Sequence, residues 1–407
     1  MPCKRKEIIM NKVLNEAISI FDDVVEIRRD IHSHPEQGNK EFRTSAIIKE
    51  KLSEYGVDEI LSPTETGVIG VIKGKKGKRG EGKTVGLRCD MDALPVEEET
   101  NLPFSSQVKG EMHACGHDMH MAMMLGNARI LCKMRDDFTG TVKLIFEPSE
   151  EIQPGGARKI IDSGMVDDVD AFFGLHVNPT KNDVGKICLR KGSTATSADE
   201  VYIKVHGKSG HGSTPHKAND AILAACQLNV LLGQIQSRNI DPLETCILTV
   251  NVIEGGIKSN VIADTCNLIA TIRAYTQETR EIAIQKIHDI CRGVEKISGC
   301  KVEEDIRLGY DAMINDSRLV EIISDYYKKE LGPDFYKKME EPFGGSEDFS
   351  FFSTKTGKPA VLMFLSAGHV KGMPVSTLHS PNCTFDEEAM KYGMAAMTNA
   401  ALAILEK

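Results

Sequence analysis

The sequence of 407 residues has no long apolar run and no excess of basic charge. No stretch approaches the roughly 18 consecutive apolar residues that a membrane-spanning helix needs. Lysine and arginine number 50 against 59 aspartates and glutamates, which leaves a formal net charge of -9 at pH 7. We therefore expect neither a membrane nor a nucleic acid as the partner of this protein.

Closely spaced cysteine pairs are also missing, although the sequence contains 11 cysteines. They are scattered and odd in number, which argues against a secreted disulfide framework and against a dithiol redox protein. The first residues, MPCKRKEIIMNKVLNE, carry basic side chains without the apolar core or the small-residue cleavage site of a secretory signal. We therefore expect a cytoplasmic protein.

The first third of the chain alternates helical and strand patterns. Residues 11–30 and the segment TSAIIKEKLSEYG carry apolar residues at helical spacing, and Gly56 closes the second helix. Apolar, strand-like runs follow as TGVIGVIKG, TVGLRCD, TVKLIFEP and VDAFFGLHV, with the helical stretch DMHMAMMLGNARILCKM between the second and the third. This alternation predicts an α/β fold with a mostly parallel sheet that is covered on both faces.

The middle of the chain has a different order of elements. Residues 200–206 fit a strand and residues 218–237 a helix, and the segments TCILTVNVIEGG, TCNLIATIRAY, REIAIQKIHDICRGVEKIS and CKVEEDIRLG fit strand, strand, helix and strand. The order β-α-β-β-α-β predicts a ferredoxin-like domain. Because LVEIISDYYKKELG and PAVLMFLSAG then return to the first pattern, we predict a discontinuous α/β domain over residues 1–193 and 311–407, with the second domain inserted over residues 194–310.

One basic, glycine-rich run, KGKKGKRGEGK at residues 73–83, lies between two predicted strands. A nucleic-acid patch would be expected to include aromatic side chains for base stacking, and none is adjacent. We interpret the run as a solvated loop.

A cysteine and a histidine separated by one glycine stand immediately before a predicted helix, in the segment MHACGHDMH. Side chains two residues apart on a helix point about 200° apart, but in a turn relaxed by Gly116 those of Cys115 and His117 can converge. A thiolate and a neutral imidazole form a strong pair of transition-metal ligands. A helix-start turn with a buried thiol is the alternative, and this motif alone does not decide between them.

Two adjacent glutamates follow the strand-like segment TVKLIFEP, which Pro148 ends. Adjacent side chains in an extended segment point to opposite sides. One carboxylate of Glu150 and Glu151 could therefore bind a metal while the other accepts a proton. Two solvated charges at a helix start are the alternative interpretation.

Other residue types that bind metals stand where further predicted strands end. His176 ends DAFFGLHV, Asp90 and Asp92 lie in RCDMDALP, and His379 lies in the loop LHSPNCTFDEE that follows VLMFLSAG. A single histidine in an apolar strand is usually a core residue, but here four strands of one predicted sheet deliver such residues to their carboxyl ends. Because ligands of open α/β sheets bind in that crevice, we predict a metal centre there.

In combination, these motifs resemble the metal-dependent amidohydrolases that include hippurate hydrolase, the auxin-conjugate hydrolases and bacterial N-acyl-amino-acid deacylases. Aminoacylases and glutamate carboxypeptidases are more distant relatives. The resemblance covers about residues 25–390 and rests on segments that occur in the family's order: RRDIHSHPEQGNKEFRTS, RCDMDALP, MHACGHD, EPSEE, GLHV, GKSGHGSTPH, GGIKSNVIAD, TIRAY, GGSEDFSFF and LHSPNCTFD.

The resemblance implies two divalent metal ions per subunit, drawn from manganese, zinc, nickel and cobalt. The ligands that it implies are Cys115, His117, Glu151, His176 and His379, with the thiolate of Cys115 bridging the two ions. It assigns the general base to Glu150. The wider family has an H-x-D motif where this chain reads Asp90-Met91-Asp92, so Asp92 takes the orienting role and Asp90 is not expected to be a ligand.

The resemblance also implies a small-molecule substrate and a partner subunit. The expected activity is hydrolysis of the linear amide bond of an N-acyl-amino acid by a water that two metal ions activate. The inserted domain would be a lid through which the protein forms a homodimer, and its His211 would reach the partner subunit's active site. Asn260 and Arg273 match positions that contact the substrate, and the guanidinium fork of Arg273 suits a carboxylate.

Two other functions remain open at this stage. A dipeptidase or aminopeptidase would use the same paired-metal chemistry, but such relatives commonly carry H-x-D and a carboxylate at the position of His176. A non-catalytic binding protein would lack a ligand or the base, and all six positions are filled here.

Three positions depart from the family pattern. Glu147 replaces a common glutamine, Gly212-Ser213 replaces a frequent Ala-Ala, and Cys383 replaces a common phenylalanine. None of them belongs to the implied ligand set, but the last two could alter the fit of the substrate.

Overall fold

The computed structural model of the protein describes residues 12–77, 81–180 and 183–406. Two of the sequence interpretations fall partly outside the described residues: residues 1–11, where no secretory signal is expected, and residues 78–80 of the basic run. The helices are α1 (Lys12–Ser19), α2 (Phe21–Ser33), α3 (Phe42–Tyr55), α4 (His117–Lys133), α5 (Ala157–Asp162), α6 (Ala221–Leu232), α7 (Ile235–Arg238), α8 (Gln277–Ser298), α9 (Ser317–Glu330), α10 (Ser350–Thr354) and α11 (Met390–Leu405). None of the helices within these ranges combines the length and the apolar composition that a membrane crossing requires.

The strands alternate with these helices along the chain. They are β1 (Glu59–Leu61), β2 (Val68–Lys73), β3 (Thr84–Asp90), β4 (Thr141–Glu147), β5 (Ala171–Asn178), β6 (Ile187–Leu189), β7 (Gly192–Ala195), β8 (Ala198–His206), β9 (Gly210–His211), β10 (Cys246–Gly255), β11 (Val261–Ile262), β12 (Thr265–Ala274), β13 (Lys301–Tyr310), β14 (Met313–Asn315), β15 (Tyr336–Lys338) and β16 (Ala360–Ser366).

By its internal contacts the chain divides into two compact units. The first comprises Met1–Gly192, Asn315–Glu341 and Asp348–Lys407, and the second comprises Ser193–Ile314 and Pro342–Glu347. The domain boundaries at residues 193/194 and 310/311, which were proposed from the sequence, remain a prediction. The short segment Pro342–Glu347 belongs to the second unit by contacts, and no pattern in the sequence indicated this.

The first unit is built around an eight-stranded sheet with the order β1-β2-β4-β3-β5-β16-β6-β15. The central strands β4, β3, β5 and β16 run parallel, whereas β1, β2 and β6 join in antiparallel pairs. All seven residues of β16 and the first seven of β5 are buried. Because successive side chains point to opposite faces, this unbroken burial means that both faces of the sheet are covered. The predicted α/β fold with a mostly parallel sheet is confirmed.

The second unit contains a four-stranded antiparallel sheet with the order β10-β12-β8-β13. Burial alternates along β12, as expected when helices cover one face and the other face is open. Helices α6 and α8 pack on this sheet and on each other, while β9 and β11 form a separate two-stranded ribbon. The order β8-α6-β10-β12-α8-β13 is ferredoxin-like, so the predicted inserted architecture is confirmed as well.

Two predicted helices are each divided in the structure. The helix expected over residues 11–30 becomes α1 and α2, because Ile20 adopts φ -107° and ψ 5°, outside the helical region. The helix expected over residues 218–237 begins only at Ala221, where the side chain of Asp220 accepts the Leu223 N–H as an N-cap. It ends before Gly233, a residue type that disfavours helix interiors, and α7 follows as a single turn.

Candidate metal centre

Six side chains of the first unit converge where its parallel strands end. Two of them follow β4, one lies in β5, one follows β16, and two lie where α4 begins. The ligand atoms lie within 4.8 Å of one another in each of three overlapping groups: Cys115, His117 and His176; Cys115, Glu151 and His379; His117, Glu150 and Glu151. The structure thus brings together all five metal ligands and the base that the sequence analysis expected.

The thiol of Cys115 lies between two histidines. Its Sγ is 3.4 Å from His176 Nε2 and 3.3 Å from His379 Nε2, and His379 Nε2 is 3.1 Å from Glu151 Oε1. Two ligands of one ion, each about 2.0–2.3 Å from it in tetrahedral geometry, lie roughly 3.5 Å apart. Cys115 Sγ belongs to two of the three groups, so this thiol lies at ligand-to-ligand distance from members of both.

Two of the histidines are held in the tautomer that metal binding requires. His117 Nδ1 lies 2.8 Å from the backbone oxygen of Asp92, and His176 Nδ1 lies 2.7 Å from that of Val177. A carbonyl oxygen only accepts, so each Nδ1 donates its proton, and Nε2 is the nitrogen that remains to bind a metal. Among the described residues His117 Nε2 is buried without a hydrogen-bond partner, and a bound cation would satisfy it.

The charges around His117 favour a cation at this point. Burial lowers the pKa of His117, but the neighbouring carboxylates of Asp90 and Asp92 outweigh burial and raise it to about 10. In contrast, burial and the nearby His120 lower the pKa of His176 to about 3, which keeps that imidazole neutral as a ligand must be. The carboxylates that would hold a proton on His117 would equally stabilise a metal ion in its place.

The glutamates lie in a turn and not in an extended segment, so the expectation that their side chains point to opposite sides is wrong. The turn forms because Ser149 adopts a left-handed φ of 62°, and both carboxylates then face His117. The carboxylate of Asp92 stabilises this turn. Its Oδ1 accepts a hydrogen bond from the N–H of Glu150, and its Oδ2 accepts one from the N–H of Glu151, both at 3.0 Å.

Unusual backbone conformations bring two of the other ligands into place. Gly116 adopts φ 85°, and a Cβ at this position would lie 2.3 Å from Val177 Cγ2. Only glycine therefore fits between Cys115 and His117. His379 itself has a left-handed φ of 63°, which is uncommon for a non-glycine residue and is typical of functional sites.

His120 takes part in the site although the sequence analysis did not single it out. Its Nδ1 lies 2.6 Å from Asp90 Oδ1, and its Nε2 accepts the N–H of Val177 at 2.9 Å. Both ring nitrogens of His120 therefore form hydrogen bonds. His120 orients the backbone of Val177, and the carbonyl of Val177 orients the ring of His176. Its position three residues after His117, on the same face of one helix, is the signal that could have indicated it.

We expect the change His120→Asn to weaken metal binding by about 10- to 100-fold, because it removes a group that orients a ligand without removing a ligand. Metal titration of the chelator-treated protein measures this change. The change His34→Gln, at a partly exposed histidine on the same unit, is the control and should leave the affinity unchanged. Equal metal affinity in the His120→Asn variant would contradict the orienting role.

A buried arginine beneath the site accounts for one departure from the family pattern. Arg88 donates from Nε to Glu147 at 2.7 Å, from Nη1 to Asp90 at 2.8 Å and from Nη2 to Asp348 at 2.9 Å. Glu147 is therefore a partner of Arg88. Three buried carboxylates around one guanidinium leave an excess of negative charge below the centre, which favours cations above it.

The other three residues of the sequence prediction lie in the second unit. His211 lies in β9, and Asn260 directly precedes β11, where its carbonyl accepts the N–H of Gly212 at 3.0 Å. Arg273 lies in β12 and donates from Nη1 to Ser346 Oγ at 2.8 Å.

Known proteins resemble this chain over nearly its whole length. The model of the peptidase family M20/M25/M40 matches residues 86–403. Thermostable carboxypeptidase 1 of Saccharolobus solfataricus is 38% identical over 97% of this chain and 98% of its own, and the hippurate hydrolase of Campylobacter jejuni is 36% identical over 84% and 87%. The crystal structure of a dinuclear metal-binding peptidase of the M20 family from Bacillus subtilis covers 96% of this chain and 99% of its own, with 31% identity and a TM-score of 0.81.

The chain therefore belongs to the peptidase family M20/M25/M40. Within that family it is a metal-dependent amidohydrolase, as the motifs in the sequence predicted. The resemblance stated from the sequence is confirmed.

Proposed function

We propose that the protein hydrolyses the amide bond of N-acyl-amino acids and releases a carboxylic acid and an amino acid. The observation that carries this proposal is the cluster of one thiol, three imidazoles and two carboxylates around Cys115. One relative is named for hippurate, which is an N-acyl-amino acid. Another is named a carboxypeptidase, and such an enzyme would cut the same bond when the acyl group is a peptide.

Glu150 would act as the general base and then as the general acid. Two divalent ions held by the five ligands would lower the pKa of a water molecule at the centre and so supply a nucleophile at neutral pH. Glu150 would take a proton from this water as the water oxygen attacks the amide carbon. The same carboxyl group would give that proton to the nitrogen of the departing amino acid as the C–N bond breaks. Glu150 is only 6% exposed, which limits competition from bulk water.

Three residues of the second unit would bind the substrate. The half-buried guanidinium of Arg273 would hold the carboxylate of the substrate through parallel hydrogen bonds. Asn260 would contribute a further polar contact. His211 of a partner subunit would donate a hydrogen bond to the carbonyl oxygen as negative charge develops on it.

The proposed ions are two per subunit, drawn from manganese, zinc, nickel and cobalt. A mixture of thiolate, imidazole and carboxylate suits most of the later divalent ions of the first transition row, so availability in the cell decides among them. Elemental analysis of the protein purified without added metal identifies the ions, and about two equivalents per chain are expected.

We also propose a homodimer that forms through the second unit, in the cytoplasm. Strand β10 is an edge strand, and its Val252 and Ile253 are exposed. An exposed apolar edge is suited to pairing with a second copy of the same chain. The ten cysteines of the described residues form no disulfide, as is usual for proteins of a reducing compartment.

The proposed substrate class is tested with the metal-loaded protein. A panel of acetyl-, benzoyl- and indoleacetyl-amino acids is assayed beside dipeptides and N-blocked dipeptides. We expect the highest kcat/KM with one of the simple N-acyl-amino acids. Faster cleavage of N-blocked dipeptides would instead favour a carboxypeptidase, faster cleavage of free dipeptides a dipeptidase or aminopeptidase, and no hydrolysis at all a binding protein.

The proposed role of His211 across subunits is tested by mixing two inactive variants. In a dimer of one His211→Ala chain and one Glu150→Gln chain, a single site would have both an intact base and an intact histidine if the histidine acts across the dimer. About half of the wild-type kcat per mixed dimer is then expected, since one of two equivalent sites is complete. If the histidine acts within its own chain, no site is complete and mixing restores nothing.

A further inference from the structure

We propose that Ser213 is a positioning residue for His211. Its hydroxyl group holds the imidazole so that Nε2 carries the proton and serves as the hydrogen-bond donor. This inference rests on the proposed function, in which His211 donates to the carbonyl oxygen of the substrate.

The hydrogen bonds on the ring determine which nitrogen carries the proton. The backbone N–H of Ser213 donates to His211 Nδ1 at 3.2 Å, and Ser213 Oγ lies 2.7 Å from the same nitrogen. A backbone N–H can only donate, so Nδ1 must present its lone pair. The hydroxyl group therefore donates too, and the proton of the neutral ring lies on Nε2.

The backbone fixes the place of this hydroxyl group. The N–H of Gly212 donates to the carbonyl of Asn260 at 3.0 Å, and the N–H of Thr214 returns to the carbonyl of His211 at 2.8 Å. Ser213 is thus held between two anchored neighbours, and its side chain is directed back onto the ring of His211.

The hydroxyl group matters because His211 is exposed. An exposed imidazole rotates about its terminal side-chain torsion, which has broad minima, and can exchange its proton between two nitrogens. A catalytic donor must instead be held in its productive orientation before the reaction. Losing one neutral hydrogen bond that maintains this orientation is expected to lower kcat by about 3- to 10-fold.

The test compares three variants of the full-length, metal-loaded protein. Ser213→Ala removes the hydroxyl group, and Ser213→Thr retains it. Ser209→Ala is the matched control, because Ser209 directly precedes β9 and its hydroxyl donates to the Ile262 carbonyl at 3.1 Å and not to a histidine. Kinetics on the best substrate of the panel are combined with ¹⁵N NMR of histidine-labelled protein, in which His211→Ala identifies the signal of His211.

We expect Ser213→Ala to lower kcat by about 3- to 10-fold with little change in KM, and to shift the Nδ1 resonance of His211 away from its hydrogen-bonded position. Ser213→Thr should restore both quantities, and Ser209→Ala should change neither. The inference is overturned if kcat and the resonance are the same in the alanine variant as in the wild type. If the resonance shifts but even His211→Ala keeps full activity, then the proposed role of His211 fails, and the inference fails with it.

Discussion

Replacing Glu150 with glutamine is expected to lower kcat by about 100- to 10,000-fold, the usual contribution of a general acid–base group. Glutamine has nearly the same shape but cannot take a proton from the attacking water. The backbone bond from residue 150 to Asp92 Oδ1 does not involve the side chain, so the turn and the five ligands should remain in place. The metal content should therefore stay at the wild-type value while turnover is lost, and elemental analysis with steady-state kinetics measures both.

The control for this change is Glu97→Gln, which removes the same charge from an exposed carboxylate outside the cluster. We expect it to leave kcat unchanged. A Glu150→Gln enzyme with near wild-type turnover would remove Glu150 from the role of base. A Glu150→Gln protein without metal would mean that this residue is a ligand.

Replacing Cys115 with serine is expected to abolish metal binding as well as activity. The sulfur belongs to both ligand groups that contain His176 and His379, so its loss weakens both positions at once. A serine hydroxyl keeps its proton at neutral pH and is a poor ligand compared with a thiolate. Since altering a group that merely supports a ligand costs about 10- to 100-fold in metal affinity, loss of a ligand that two ions would share should cost more than about 100-fold.

Thermal unfolding gives a second measurement for Cys115→Ser. A metal ion that binds only the folded protein raises the Tm, so added metal should stabilise the wild type and fail to stabilise the variant. Cys132→Ser is the matched control, because Cys132 lies near the other end of α4, away from the ligands. A Cys115→Ser protein that still binds two ions would show that the sulfur is not shared.

Much of the architecture could be predicted because the elements have local signals. The alternating apolar runs and helices indicated the mostly parallel sheet, and Gly56 marked the end of α3 with a left-handed φ of 73°. The breaks at Ile20 and Gly233 were missed, since an apolar residue or a single glycine within a helical pattern gives only a weak local signal.

The residue types at the metal centre could be predicted, but their arrangement could not. Cys115 and His117 stood beside a flexible glycine, which indicated a shared centre. The direction of Glu150 depended on the left-handed φ of Ser149, which the sequence does not reveal. The contact of Arg88 with Asp348 joins residues far apart in the chain, and only the folded sheet brings such residues together.

The acceptors that orient His117 and His176 are main-chain oxygens, those of Asp92 and Val177. Every amino acid supplies such an oxygen, so exchanging the side chain of residue 92 or 177 does not remove the acceptor. The orientation of these two imidazole rings therefore depends on the path of the backbone through the sheet. Drift in the surrounding sequence can therefore change which molecules are accepted while the two rings keep their direction.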